Sequence, residues 1–248
     1  MRSNILITGA SSGLGRGMAL EFAAKGRNLA LCARRGELLE QLREEIAARH
    51  PAVRVAVRVL DVNDHEKVYE VFRACGAELG GLDRIIVNAG VGRGAPIGTG
   101  AFADLHQAAE TNFVAAIAQC DAAVEIFRAQ GHGHLVTIAS MAAIRGLPRS
   151  QTVYAATKAG LATLTEGIRA ELYATPIRVS TIFPGYIDTL INSHVKHRPF
   201  VVDAATGCRA LVRAIEREPA RACVPWWPWT PLAFLMRHVP LAWIARAA

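Results

Sequence analysis

Several features that mark whole classes of protein are missing from this chain of 248 residues. Its cysteines are scattered along the sequence at Cys32, Cys75, Cys120, Cys208 and Cys223. Their odd number and wide spacing argue against a disulfide framework and against a cluster of metal ligands. No internal repeat or low-complexity linker divides the chain, so we expect one domain over residues 1–248. No charged n-region with an apolar h-region precedes the first apolar run, so we expect a reduced, cytoplasmic setting.

The chain also lacks clusters of basic residues, although it is basic as a whole. It has 28 Lys and Arg residues against 21 Asp and Glu residues, a formal net charge of +7. Such a charge suits an anionic cofactor, an anionic lipid or a nucleic acid. Because the basic residues are dispersed and no binding motif accompanies them, we expect no nucleic-acid partner.

Short apolar runs alternate with amphipathic stretches along most of the chain. The runs predict strands over 4–8, 28–33, 53–60, 83–88, 133–139 and 177–183, and a further strand near 221–225. The stretches predict helices over 14–25, 36–49, 64–79, 104–129, 154–174 and 203–217. This alternation with short loops predicts an α/β, Rossmann-like fold, a doubly wound parallel sheet with helices on both faces. Ligands bind such sheets at the carboxyl ends of the strands.

The first predicted strand leads into a glycine-rich turn. The apolar run from Ile5 to Ile7 is followed by Gly9, Gly13 and Gly15, and then by a helical pattern. Without side chains the backbone can turn sharply and a phosphate can approach it, while the helix N-terminus supplies N–H groups. The spacing G-x-x-x-G-x-G differs from the commoner dinucleotide fingerprint, and alone it also suits an ordinary tight turn. We interpret it as a pyrophosphate site because of the motifs that follow.

Two arginines follow the second predicted strand, where an NAD site usually places a carboxylate. The strand ends at Ala33, and Arg34 and Arg35 come next. A guanidinium can hold a 2′-phosphate through two hydrogen bonds, which a carboxylate cannot do. The alternative is a solvated helix start, but cations at a helix N-terminus oppose its dipole. We therefore expect NADP(H) to be preferred over NAD(H).

Polar residues close three further strands. Asp61, Asn88 and Ser140 follow the third, fourth and fifth strands. Asp61 could accept from an adenine amino group and Asn88 could tie neighbouring strand ends together, although both residue types also favour turns. In the next helix Tyr154 and Lys158 lie one turn apart, and a nearby ammonium favours the phenolate. A tyrosine whose pKa is lowered in this way can act as a general acid–base group, whereas a surface pair is the alternative.

Together these residues resemble the short-chain dehydrogenase/reductase family in its compact form. The resemblance covers about residues 4–190, and its motifs are specific in combination. The matching residues are Thr8-Gly9-Ala10-Ser11-Ser12-Gly13-Leu14-Gly15, Asp61, Asn88-Ala89-Gly90, Asn112, Ser140, Tyr154, Lys158 and Pro184-Gly185. An arginine just past the second strand is the NADP-preferring pattern of the family, in agreement with the argument from Arg34. The resemblance also implies a homodimer or homotetramer, formed through helices resembling 104–129 and 154–174.

The resemblance implies a role for each member of a catalytic set. Tyr154 would protonate the carbonyl oxygen as hydride arrives, or deprotonate the alcohol in reverse, and Ser140 would orient that oxygen. Lys158 would bond the nicotinamide ribose and lower the tyrosine pKa, and Asn112 would hold a water in the proton relay. The cofactor-binding residues that it implies are Thr8, Gly9, Ser11, Ser12, Gly13, Leu14, Gly15, Arg34, Arg35, Asp61, Val62, Asn88, Ala89, Gly90, Tyr154, Lys158, Pro184, Gly185, Ile187 and Thr189.

One spacing departs from the family pattern. Ser140 and Tyr154 are fourteen positions apart, whereas the family more often has thirteen. We expect the extra residue to lie in the loop 149–153, with the catalytic set preserved and the loop beside the substrate altered.

After residue 186 the resemblance thins, and substrate information should begin. The segment 186–203 occupies the place of the family's substrate lid, a region that commonly moves. It carries four basic residues, His194, Lys196, His197 and Arg198. They could form a cationic entrance for an acidic or phosphorylated group, such as an acyl carrier, or simply a solvated helix face.

The C-terminal segment, residues 222–248, is rich in tryptophan and proline. It holds all four tryptophans of the chain, Trp226, Trp227, Trp229 and Trp243. Its uncharged run, 222–236, is too short and too interrupted by proline for a membrane-spanning helix. Tryptophans beside Arg237 and Arg246 suit a membrane surface. The alternatives are a lipid-lined mouth of the active site and packing on this chain or on a partner subunit.

These patterns predict an NADP(H)-dependent oxidoreductase that interconverts a ketone and a secondary alcohol. The apolar C-terminal segment favours a hydrophobic substrate, such as a long-chain 3-oxoacyl compound, a ketosphingoid base or a steroid-like ketone. Two rival functions use the same fold: a cofactor-binding redox sensor without turnover, and an assembly protein at a membrane surface. An intact Ser–Tyr–Lys–Asn set argues against both, because neither needs it.

Overall fold

A single parallel sheet organises the chain. The computed structural model describes residues 2–92, 94–189 and 198–247. Within them the strands are β1 (Asn4–Thr8), β2 (Asn28–Ala33), β3 (Val55–Val59), β4 (Arg84–Val87), β5 (Gly133–Ile138), β6 (Ile177–Pro184) and β7 (Arg221–Val224). They lie in the order β3-β2-β1-β4-β5-β6-β7, and neighbouring strands run parallel. The predicted α/β, Rossmann-like single domain is confirmed.

Helices cover both faces of the sheet. In the described ranges they are α1 (Gly13–Ala23), α2 (Gly36–Arg49), α3 (His65–Leu79), α4 (Phe102–Ala109), α5 (Ala115–Gln130), α6 (Thr152–Glu171), α7 (Ala204–Glu216), α8 (Trp226–His238) and α9 (Leu241–Ala247). Alternate strand residues feed two cores, with Ile5 and Ile7 facing α1, α2 and α7 and Leu6 facing α3, α5 and α6. A parallel sheet buried in this way needs apolar side chains on both faces, which explains the continuous apolar runs in the sequence.

The order of the strands reverses at β1. The chain passes from β1 through β2 to β3 on one side, and then crosses to β4 on the other side. Helices that leave β1 and β4 therefore diverge, and they leave a crevice at the carboxyl ends of these strands. Doubly wound sheets bind their ligands in this crevice.

The helix predicted over 104–129 is divided. A π-helical turn, Glu110–Val114, separates α4 from α5, and Asn112 lies in it. A single π turn accommodates one extra residue within a continuous helix and is frequent at functional sites. The prediction of one uninterrupted helix over 104–129 was wrong at this point.

The C-terminal segment folds into two helices that the sequence analysis did not predict. In α8 the backbone is extended at Trp227, so regular helix begins at Pro228. Pro228 and Pro231 thus lie in the first turn, where a missing N–H costs little. No helix in the described part of the chain has the length and apolar character to cross a membrane.

Candidate active site

The turn after β1 is held by backbone contacts that leave no room for side chains. Gly9 has φ 67°, and a β-carbon on it would lie 2.9 Å from Ala89 Cα. A β-carbon on Gly15 would lie 2.3 Å from the Gly9 carbonyl oxygen. Thr8 Oγ1 accepts hydrogen bonds from the amides of Asn88 (3.0 Å) and Ala89 (3.1 Å), and Asn88 Nδ2 donates to Thr8 O (2.9 Å). Asn88 therefore ties the ends of β1 and β4 together.

The N-terminus of α1 opens onto this turn. Ser12 is the N-cap residue, and no side-chain hydrogen bond caps the helix in the described structure. Its first N–H groups, with the positive end of the helix dipole, are available to an anion.

The two arginines after β2 have different neighbours, Arg35 at the glycine turn and Arg34 at Asp61. Arg35 Nη2 donates to the hydroxyls of Ser11 (3.0 Å) and Ser12 (2.7 Å). Arg34 Nη1 lies 3.9 Å from Asp61 Oδ2, and its side chain is 63% exposed. The structure thus brings five of the predicted cofactor residues to one edge of the crevice. At that distance and exposure the Arg34–Asp61 pair is weak, so the guanidinium can turn to another anion.

Asp61 and Val62 form the turn after β3. The Asp61 carboxylate accepts a hydrogen bond from the amide of Asn63 at 3.1 Å, and Val62 is buried in the core. Asp61 thus has the turn-forming role that was its alternative interpretation, and its contact with an adenine stays a prediction.

Ser140 and Tyr154 meet at the carboxyl end of β5. Ser140 follows the strand as N-cap of a short 3₁₀ helix, Met141–Ile144, and its hydroxyl accepts from the amide of Ala142 at 3.1 Å. Burial raises the pKa of Tyr154 above its ordinary value, and a hydrogen bond from the Ser140 hydroxyl opposes that rise. The lowered tyrosine pKa expected from Lys158 is not found in this arrangement. The phenol is therefore protonated at neutral pH.

Lys158 points beneath the tyrosine toward the sheet. Its Nζ donates to the Ile138 carbonyl at 2.9 Å, and the residue is 5% exposed. Burial lowers the pKa of this ammonium to about 8. A β-carbon on Gly90 would lie 3.5 Å from Lys158 Nζ and 2.9 Å from Asn112 Oδ1, so the three residues line one small space.

Asn112 holds the loop after β4. Its amide accepts from Val91 N (2.8 Å) and donates to Val91 O (2.9 Å). The side chain therefore clamps this loop with one donated and one accepted hydrogen bond. In a π turn each backbone N–H bonds to the carbonyl five residues earlier instead of four. The backbone hydrogen bonds around Asn112 therefore differ from those of a regular helix. Its role in holding a water stays a prediction.

The residues after β6 reach back across the glycine turn. Gly185 N donates to Val224 O at 2.8 Å, and Ile187 is buried and forms a β-bridge with Val202. A β-carbon on Gly13 would lie 3.8 Å from Thr189 Cβ. Gly13, from the first predicted motif, and Thr189, from the last, therefore lie side by side.

Trp229 is a site residue that the sequence analysis did not single out. A β-carbon on Gly185 would lie only 2.1 Å from its indole ring, so the ring packs directly on this glycine. Tyr186 and Phe200 make edge contacts with it, with ring centroids 5.9 and 6.1 Å away. In the sequence, Gly185 indicates a position where another group can pack closely on the backbone, and the tryptophans later in the chain could supply that group. Which tryptophan packs on Gly185 depends on the path of the C-terminal segment.

The loop before α6 contains a short 3₁₀ turn, Arg149–Gln151. Arg149 has φ 60°, in the left-handed region, and the Ser150 carbonyl lies 2.3 Å from where a β-carbon on Gly94 would be. This turn occupies the place where we expect the extra residue, and Ser140, Tyr154, Lys158 and Asn112 still come together.

Part of the predicted lid lies outside the described residues. That part is 190–197, including His194, Lys196 and His197. Arg198 is described, and its guanidinium lies 2.5 Å from Asp188 Oδ1. This carboxylate offsets the charge that Arg198 was expected to bring to a cationic entrance.

The chain is similar to known proteins over most of its length. Residues 3–199 match the short chain dehydrogenase family. An uncharacterized oxidoreductase of Mycobacterium tuberculosis is 52% identical over 239 residues, covering 96% of this chain and 94% of the relative. The structure of levodione reductase is similar with a TM-score of 0.73 and 32% identity, over 76% of this chain and 73% of that one. The NADPH-dependent 3-quinuclidinone reductase of Rhodotorula rubra has a TM-score of 0.74 and 25% identity, over 87% and 84% of the two chains.

Lys158→Met should stabilise the folded protein at pH 7. The Lys158 pKa is about 8 in the fold against an ordinary 10.5, so the unfolded chain binds the proton more tightly and stability rises with pH between these values. Methionine carries no charge, so the variant should lack this rise and gain about 1–3 kcal/mol at pH 7. Urea unfolding at pH 7 and pH 10 measures both effects. Lys67→Met, at an exposed position on α3, is the control. Unchanged stability and an unchanged pH slope in Lys158→Met would contradict this account of the site.

Proposed function

The chain belongs to the short-chain dehydrogenase/reductase family, and from this premise we propose that it is an NADP(H)-dependent oxidoreductase that interconverts a ketone and a secondary alcohol. The observation that carries the proposal is the placement of Tyr154 beside Ser140 at the end of β5, with the buried Lys158 one helical turn further along α6. This set lies at the carboxyl end of the sheet, beside the glycine turn.

Tyr154 is the proton donor for reduction. Its raised pKa keeps the phenol protonated at neutral pH, so a proton is ready for the carbonyl oxygen of a ketone. Ser140 donates a hydrogen bond to the same oxygen and so orients it. In the reverse direction the phenolate form of Tyr154 accepts the proton of the alcohol. When bound, the nicotinamide supplies or accepts the hydride.

Lys158 serves the site as a buried cation beside Gly90 and Asn112. Ribose hydroxyls that enter this space can accept from Nζ, which otherwise donates to Ile138 O. An ammonium near the tyrosine also stabilises the phenolate that forms as the proton leaves. Asn112 keeps the loop after β4 in place, and the backbone of the π turn is the group that we assign to the proton relay.

The residues around the glycine turn fit a dinucleotide with a 2′-phosphate. Gly9 and Gly15 make a cradle that a side chain would fill, and the first turn of α1 offers N–H groups. The strand β2 ends at Ala33 without a carboxylate; Arg35 bonds the serines of the turn and Arg34 lies near Asp61. The similar reductase from Rhodotorula rubra is described as NADPH-dependent, which supports the same choice for this chain.

A hydrophobic substrate suits the surroundings of the catalytic pair. Trp229, Tyr186 and Phe200 form an aromatic cluster on Gly185, and Met141 adds an apolar side chain after Ser140. Apolar walls with a few placed polar groups are typical of sites for small organic ligands. We therefore propose a lipid-like ketone, such as a long-chain 3-oxoacyl compound, as the substrate class.

Tyr154→Phe tests the proton donor. The variant keeps the ring but cannot donate a proton, so turnover of a ketone substrate should fall by roughly 10²–10⁴-fold while NADPH binding changes little. Loss of nicotinamide absorbance measures turnover, and quenching of protein fluorescence measures binding. Tyr173→Phe, at an exposed position distant in sequence from the catalytic set, is the control and should retain activity. Near-normal turnover in Tyr154→Phe would overturn the assignment.

Arg34→Asp tests the cofactor preference. The change replaces a candidate phosphate clamp with a carboxylate that repels a 2′-phosphate. Because a charge-assisted hydrogen bond contributes about 1.5–3 kcal/mol, the Kd for NADPH should rise about tenfold or more while that for NADH stays the same or falls. Arg73→Asp, a similarly exposed arginine on α3, controls for the change in net charge. Equal weakening of both cofactors by Arg34→Asp would show that Arg34 acts structurally.

A further inference from the structure

We propose that the outer face of α8 and α9 docks on the surface of an anionic lipid bilayer. This outer face consists of six large apolar residues, all exposed: Trp226, Trp227, Phe234, Leu235, Leu241 and Trp243. Three observations support the assignment: α8 is apolar on both sides, it is fixed to the protein by its inner side, and its charges are of one sign.

The inner side of α8 is already occupied. Trp229, Leu232, Ala233 and Met236 recur at helical spacing and pack on Phe183 in a small core of their own. A helix on a protein surface usually has polar residues opposite such a stripe. Here the opposite side carries Phe234 and Leu235, which are exposed. The helix therefore has a second apolar side, on which Phe234 stays 72% exposed although the His238 ring lies 4.7 Å from it.

The exposure of this side follows from the fold and not from a loose chain end. Arg145 Nη1 donates to the carbonyls of Met236 (3.1 Å), Arg237 (3.2 Å) and Val239 (2.6 Å), which satisfies the C-terminal groups of α8. The other end is fixed where Trp229 packs on Gly185. With both ends held, α8 presents its outer side at a defined orientation.

The outer face is also unusual within this molecule. Of fourteen large hydrophobic residues exposed in the described ranges, six lie on α8 and α9, within residues 226–243. The others are scattered along the chain as single residues or short pairs. Single exposed apolar side chains are normal, whereas a concentration of them marks an interaction surface.

The positive charge of this segment favours an anionic bilayer over the other surfaces that could cover the outer face. Residues 226–248 contain Arg237 and Arg246 and no Asp or Glu. A two-fold contact through this face would put the arginines of both copies into one interface, and α8 and α9 have no carboxylate to pair with them, which is unfavourable. Tryptophan and arginine side chains together suit the interface of a membrane, where the ring lies at headgroup depth and the cation meets lipid phosphate.

Intrinsic fluorescence reports on this segment alone, because all four tryptophans lie within it. The experiment mixes the full chain with vesicles of phosphatidylcholine, or of phosphatidylcholine and phosphatidylglycerol in equal parts, each with and without brominated acyl chains. We expect sedimentation with the anionic vesicles and quenching of fluorescence by bromine. Added salt should weaken the binding without abolishing it, because salt screens the arginines but not the apolar contacts.

A double variant, Phe234→Ser with Leu235→Ser, should lower the partition onto anionic vesicles by about tenfold or more, because two apolar contacts are lost. Phe102→Ser is the matched control, since Phe102 is 73% exposed on α4 and Phe234 is 72% exposed. Circular dichroism and the unfolding midpoint check that each variant folds.

Two results would overturn the proposal. The first is full-length protein that neither sediments with anionic vesicles nor is quenched by them at low salt. The second is a double variant with a smaller oligomer and unchanged vesicle binding, which would identify the outer face as a contact between copies of the chain. Equal binding to neutral and anionic vesicles would remove the role assigned to the arginines.

Discussion

Close approach of backbones at the carboxyl end of β1 is the constraint on which the candidate site depends. Gly15 lies on the Gly9 carbonyl, Gly9 lies on Ala89, and Thr8 and Asn88 exchange hydrogen bonds between β1 and β4. These contacts set the direction of α1 and the position of the loop after β4. That loop in turn borders the small space that Gly90 lines together with Lys158 and with Asn112 of the π turn. A side chain added at either glycine would therefore disturb phosphate contacts and catalytic residues together.

The catalytic set includes a buried charge that lowers the free energy of unfolding. Lys158 is a buried cation whose described partner is a neutral carbonyl, and burial lowers its pKa to about 8. Tyr154 is held in its protonated form by the same burial. The buried charge of Lys158 is unfavourable for folding, but both groups are in the states that proton donation and anion binding require. The fold supplies the missing stabilisation elsewhere, in two large cores on the faces of the sheet.

Most of the fold could be predicted from the sequence, because apolar periodicity reports which faces are buried. The π turn at Asn112 could not, since the one-residue shift that it makes in the apolar pattern is hard to tell from ordinary irregularity in a helix. The helices of the C-terminal segment could not be predicted, because its prolines argue against a helix. In the structure Pro228 and Pro231 lie in the first turn of α8. The pKa of Tyr154 depends on burial, and spacing to Lys158 carries no information about burial. A buried network in which Arg84 bonds Glu216 across 132 positions of the chain was equally invisible, because no local pattern links such residues.

The most direct test is whether hydride moves between the cofactor and a carbonyl carbon on this protein. NADPH carrying deuterium on its reduced nicotinamide ring would be incubated with the unmodified chain and a panel of hydrophobic ketones, and the products analysed by mass spectrometry. Our account predicts a secondary alcohol with deuterium on the carbinol carbon, formed from at least one ketone in the panel. Tight binding of NADPH with no deuterium transferred to any of them would contradict it, and would favour a cofactor-binding protein without turnover.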